Sequence, residues 1–301
     1  MSEPYPRIRV RARNGVLVLR EGLSITFYMK RFHQEVLPGL LRSLEEYRRA
    51  IGPGGLSFYF DDEGEAVPFD SVGEASVLRR LREGDVITRL TDGAANETRY
   101  HFLYFGKRPN LPALKHEPGW ASTISYWLPT EYLEEHGPQR VRELVLALAA
   151  PLPFCTGYAG LSFNISAGIM EVWAKVRELC FRHPALDIPD VSSLSWRLGT
   201  QVLGVSWMTF LGQPLLGELG GVDGLRSRLH SPGTTVEALD ADRAVVTLGE
   251  WPEAGDTEQG QTLPAYRELA RVLEPWLYHA RLEHAGFTPE EMRRWERRFL
   301  E

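Results

Sequence analysis

The chain has 301 residues, 43% hydrophobic and 25% charged, enough apolar material for one large core or two smaller ones. Its 34 basic and 40 acidic residues leave a net charge of -6, which argues against a broad nucleic-acid footprint and permits an acidic face turned to a basic partner. The 28 glycines and 20 prolines are scattered as turn punctuation, which excludes low-complexity classes.

In chain order, residues 8–13 and 16–19 flank Asn14-Gly15, a tight-hairpin signal because both central residues tolerate positive φ. Residues 23–28 alternate as a strand, and residues 34–51 carry apolar side chains at helical spacing. Gly52-Pro53-Gly54-Gly55 ends that helix, and residues 56–60 read as a strand. The more polar stretch 65–99 predicts a short helix at 77–82, a strand at 85–90 and a turn at Thr91-Asp92-Gly93. Strands follow at 100–105 and 120–128, the latter stopped by Pro129. A helix is expected at 139–149, a strand at 160–164 and a helix at 168–180. Residues 191–198 and 203–211 are apolar and read as strands, and 214–219 and 223–229 as short helical pieces. A hairpin is expected from 234–239 and 244–248, then a polar loop at 252–262 and a helix at 264–276. Thr288-Pro289-Glu290-Glu291 marks the start of a last helix, with a cap, proline at the first position and glutamate at the third.

Residues 20–65 and 120–168 read as an internal duplication. In each, a strand leads through a helix into Gly-Leu-Ser-Phe, at 55–58 and at 160–163. The expected architecture is α+β: antiparallel or mixed sheets with packed helices, two related β-α-β halves in one compact domain spanning 1–301.

Chemistry-bearing motifs are sparse. Gly52-Pro53-Gly54-Gly55 sits between helix and strand and lacks the Lys-Ser/Thr end of a phosphate loop. Ser162 lies in Gly160-Leu161-Ser162-Phe163-Asn164, which lacks the second glycine of a nucleophile elbow, and Ser57 occupies the matching place in the first half. His279 and Glu283 share a helical spacing, with His284 beside them, but an isolated pair of this kind is ordinarily a surface contact. His116-Glu117 with Asp187 would need spatial convergence to do acid–base work. No catalytic residue, cofactor or metal is expected. Cys155 and Cys180 read as buried free thiols. The N-terminus lacks a signal-peptide apolar region, and the longest apolar stretches, 144–154 and 202–211, are too short to span a bilayer. A cytoplasmic protein without membrane or nucleic-acid partners is therefore expected. Two acid-rich segments are candidate partner-binding sites: Asp61, Asp62, Glu63 and Glu65 in one loop, and Trp251, Glu253, Asp256 and Glu258 in another.

Four stretches carry a resemblance. Tyr104-Phe105-Gly106, Leu128-Pro129-Thr130-Glu131-Tyr132-Leu133, residues 152–163 (with Gly-Tyr-Ala-Gly-Leu-Ser-Phe) and residues 203–212 (with Leu-Gly-Val-Ser-Trp-Met-Thr-Phe-Leu-Gly) resemble a bacterial family of type VI secretion immunity proteins. The resemblance runs from about residue 20 to about residue 280. It implies an intracellular protein that binds and neutralises a cognate antibacterial toxin, in some relatives a nuclease, and it brings no catalytic residues. Two other readings compete: an enzyme whose site assembles only in the fold, and a scaffold or accessory protein of a secretion system.

Overall fold

The computed structural model describes residues 5–93, 98–165, 170–279 and 286–301. The backbone separates into two compact units. The first comprises Met1–Leu23, Tyr158–Pro189 and Gln201–Glu301, and the second Ser24–Gly157 and Asp190–Thr200.

In the first unit, β1 (Arg9–Arg11) pairs antiparallel with the start of β2 (Leu17–Met29), as Asn14-Gly15 predicts. Glu21 is buried in β2 and satisfied by the Ile8 amide at 2.7 Å and by Arg9. Further along the chain come β8 (Thr156–Ile165), α4 (Met170–Arg182) and β9 (Met208–Leu211). Two short helices, α6 (Leu215–Glu218) and α7 (Gly221–Arg226), precede the expected hairpin of β10 (Thr234–Ala238) and β11 (Ala244–Leu248). β11 in turn pairs with β9. Helix α8 (Pro264–Leu273) buries Tyr266, Leu269, Ala270 and Leu273 in the same core as Leu211, Val246 and Leu225. The chain's last helix, α9 (Pro289–Glu296), has the expected capping box between Thr288 and Glu291.

The second unit holds the remainder of β2, then α1 (His33–Ile51), β3 (Phe58–Phe60), β4 (Ala66–Pro68), α2 (Ser71–Glu83), β5 (Ile87–Thr91), β6 (His101–Phe105), β7 (Ser122–Pro129) and α3 (Thr130–Ala149). Helix α3 starts earlier than expected. Gly137, at φ 76°, breaks it into two runs, and the sequence pattern marked only the second. Every residue of β7 is buried. Tyr126 reaches Ser43 of α1 at 2.5 Å, and the Tyr47 hydroxyl donates to the Trp127 carbonyl at 2.5 Å. Thr26 and Ser125 satisfy each other at 2.8 Å inside the sheet, which is how hydroxyls persist in fully buried strands.

Residues 191–198, expected as a strand, form helix α5 (Val191–Arg197) instead. Asp190 caps it through the Ser193 amide, and its buried positions Val191, Leu194 and Ser195 follow helical spacing. Among the described residues, eleven strands form one antiparallel sheet in the order β10-β11-β9-β8-β2-β7-β6-β5-β3-β4, with β1 on β2. With nine helices among those residues, the fold is α+β.

Candidate partner interface

The first acid-rich segment is the turn of the β3–β4 hairpin in the second unit, where Phe60 faces Ala66. Asp61 turns its carboxylate inward and accepts the amides of Glu63 at 3.1 Å and Glu65 at 2.8 Å. That bonding fixes the turn. It leaves Asp62, Glu63 and Glu65 exposed on a rigid loop. Asp62 pairs with Arg80 of α2, and the same guanidinium lies 2.9 Å from Asp85. Ile87, 52% exposed, lines a shallow recess beside this cluster with Tyr59, Phe60 and Thr88.

The second segment lies in the first unit and is built differently. Asp256 is only 6% exposed. Its carboxylate takes Arg182 at 2.8 and 3.2 Å and accepts the Glu258 amide at 3.0 Å. The Arg182 hydrogen bond holds the Asp256 carboxyl below its ordinary range. Asp256 therefore orders the loop. Glu258 is exposed and also pairs with Arg182, at 2.8 Å. Glu253 is exposed and Trp251 half-buried.

One polar pair escaped sequence reasoning. Lys107, 1% exposed, donates to the Ser195 hydroxyl at 3.0 Å, and its ammonium lies 4.2 Å from the Trp196 ring centroid. Burial pushes the Lys107 amine down to about 8. A lysine beside a serine can be a base–nucleophile couple. Here Ser195 is 0% exposed and donates its own proton to the Ser192 carbonyl at 2.7 Å. The serine accepts from the lysine and gives its proton elsewhere, so the pair is a structural anchor. The two residues lie 88 positions apart, and no local pattern could have joined them.

Asp187 pairs with Arg298 at 3.4 Å in the first unit, while His116 and Glu117 follow a short 3-10 turn, Pro112–Lys115, in the second. Glu283 and His284 lie outside the described residues. Among the described residues, no cluster of three His, Cys, Asp or Glu side chains is placed to hold a metal ion. Cys155 and Cys180 are free thiols, and Cys180 is buried. No helix among the described residues is long and apolar enough to cross a membrane.

Residues 39–299 match the model of a family described as TsiV, type VI immunity for VRR-NUC. The chain belongs to the TsiV family. Its fold is similar to that of the Pseudomonas aeruginosa T6SS protein PA0821, with a TM-score of 0.80 at 21% identity. The similarity covers 99% of this chain and 88% of that one. No curated protein matches. The resemblance read from residues 104–106, 128–133, 152–163 and 203–212 thus lies within the TsiV match, and immunity is the role that membership gives the chain.

Proposed function

We propose that this TsiV chain neutralises a cognate VRR-NUC nuclease toxin in the cytoplasm by stoichiometric burial of the toxin's surface, without catalytic turnover. The family match over residues 39–299 carries this reading. The acid-rich hairpin supports it: a nuclease needs basic groups to hold phosphate, and carboxylates facing them speed encounter and block substrate together. In this reading Asp61 and Asp256 shape their loops. Asp62, Glu63 and Glu65, with Phe60 and Ile87, supply one contact patch, and Trp251, Glu253 and Glu258 a second.

The test uses the cognate VRR-NUC-type nuclease, sought among the genes that neighbour this one. Titrating the chain into active nuclease should end cleavage at one equivalent. Protection well below one equivalent would overturn burial in favour of turnover. Reversing Asp62, Glu63 and Glu65 to lysine should slow association and weaken its salt dependence. Unchanged association would remove the hairpin from the interface.

A further inference from the structure

The second unit carries a groove that the acid-rich loops do not use. Residues 106–121, between β6 and β7, form a long connection, and its base is pinned from several sides. The Lys107 amide donates to Ser122 at 3.1 Å, its carbonyl accepts the His33 amide at 2.8 Å, and its ammonium is the one held by Ser195. Near the far end, Lys30 donates to the carbonyls of Pro118 at 2.5 Å and Trp120 at 2.9 Å. Gly119 fits so closely that a Cβ there would stand 2.2 Å from the Arg197 carbonyl oxygen. These contacts shape an open groove of about 440 Å³ walled by Phe32, Leu111, Leu114 and Trp120, with Lys115 among its lining.

The surroundings of the groove are basic. Arg108 and Lys115 are exposed on or beside its lining residues and Lys30 holds its far end, against Glu117 of opposite sign, while Arg31 and Glu35 lie 3.9 Å apart as an ion pair. Glu35 is already engaged, accepting the Phe32 amide at 2.9 Å. In a chain of net charge -6, this is a local reversal of sign. Resting on the immunity reading above, we propose that the groove receives an extended acidic segment of the nuclease, anchored by an apolar side chain. A preformed apolar slot spares a ligand the cost of ordering it, and the cationic rim selects the charge of what enters. The aromatic pair favours a peptide over nucleic acid. Phe32 stacks on Trp120 at 4.7 Å, and the Lys30 ammonium sits 4.0 Å from the same ring centroid. The faces of Trp120 are taken, whereas single-strand binding needs open ring faces.

The test measures the affinity of the full chain for the cognate VRR-NUC-type nuclease at several salt concentrations. Leu114→Asp puts an anion in the slot and should weaken binding by about tenfold or more. Lys115→Glu, on the exposed turn, should weaken binding and flatten its salt dependence; it keeps the test decisive if Leu114→Asp fails to fold. If the wild type binds and both variants match it, the groove is not a contact and this inference falls alone. A wild type that does not bind removes the immunity reading as well. A fluorescent single strand of about twelve nucleotides is the second probe. Binding of it by the wild type, abolished by Leu114→Asp, would reassign the groove to nucleic acid and overturn the proposal.

Discussion

Lys107 shows what a buried cation does to the pH response of this protein. Burial takes its pKa from 10.5 to about 8, so between those values the unfolded chain binds the extra proton and the folded chain does not. Stability from this group therefore rises as pH climbs from about 8 to 10.5 and is missing below about 8. Lys107→Met should remove that slope. Urea unfolding of wild type and variant should show their stability difference changing by up to about 3 kcal/mol across this window. A pH-independent difference would mean the ammonium is solvated. At this scale the sequence was only partly legible. Acidic residues were visible as acidic, but nothing in Trp251–Glu258 announced that Arg182, 74 positions from Asp256, would claim its carboxylate.

Helices and strands were legible where one face is apolar or a cap is explicit, as in α1 and α9. They were misread where composition and spacing disagreed. The segment Val191–Arg197 is rich in serine and starts with a β-branched residue, yet its apolar positions recur at helical intervals and Asp190 precedes it. The same oversight shortened α2, whose cap Asp70 accepts the amides of Val72 and Gly73 at 3.0 Å each. Asp70→Ala should cost about 1 kcal/mol in urea unfolding. Because α2 carries Arg80, it should also loosen the hold on Asp62, seen as faster amide exchange in residues 61–65. The outer strands have their own protection. β4 ends in Pro68, and the Arg226 guanidinium donates to the Val236 carbonyl on β10 at 3.0 and 3.2 Å. Arg226→Ala should change stability little and raise light scattering on heating, since it frees an edge carbonyl for another chain.

At the scale of the molecule, we propose that the chain unfolds as one domain although its backbone forms two compact units. The divisions at 23/24 and 157/158 fall inside β2 and β8, and melting one unit would cut a strand in two. Tryptophan fluorescence and far-ultraviolet circular dichroism should then give coincident urea transitions. Two separated transitions would show independent units. The proposed internal duplication belongs here too. Both segments run strand–helix–strand, as β2-α1-β3 and β7-α3-β8, and least-squares superposition of residues 20–65 on 120–168 tests it. The α+β class was legible because hairpin and helix signals alternate along the sequence. The sheet order was not, since β2 lies between β7 and β8, strands from much later in the chain.

The position of β2 also sets a clock. Its last residue is 29, while β7 begins at 122 and β8 at 156. At about 5–20 residues per second, translation leaves this strand, paired only with β1, without β7 or β8 for about 5–20 seconds before the first of the two arrives. A chain stopped short of residue 156 lacks β8 to β11, so the sheet is complete only once β11, ending at residue 248, has been made. A copy begun on attack completes its sheet only after 248 residues, about 12–50 seconds of translation, a lag written into its strand order.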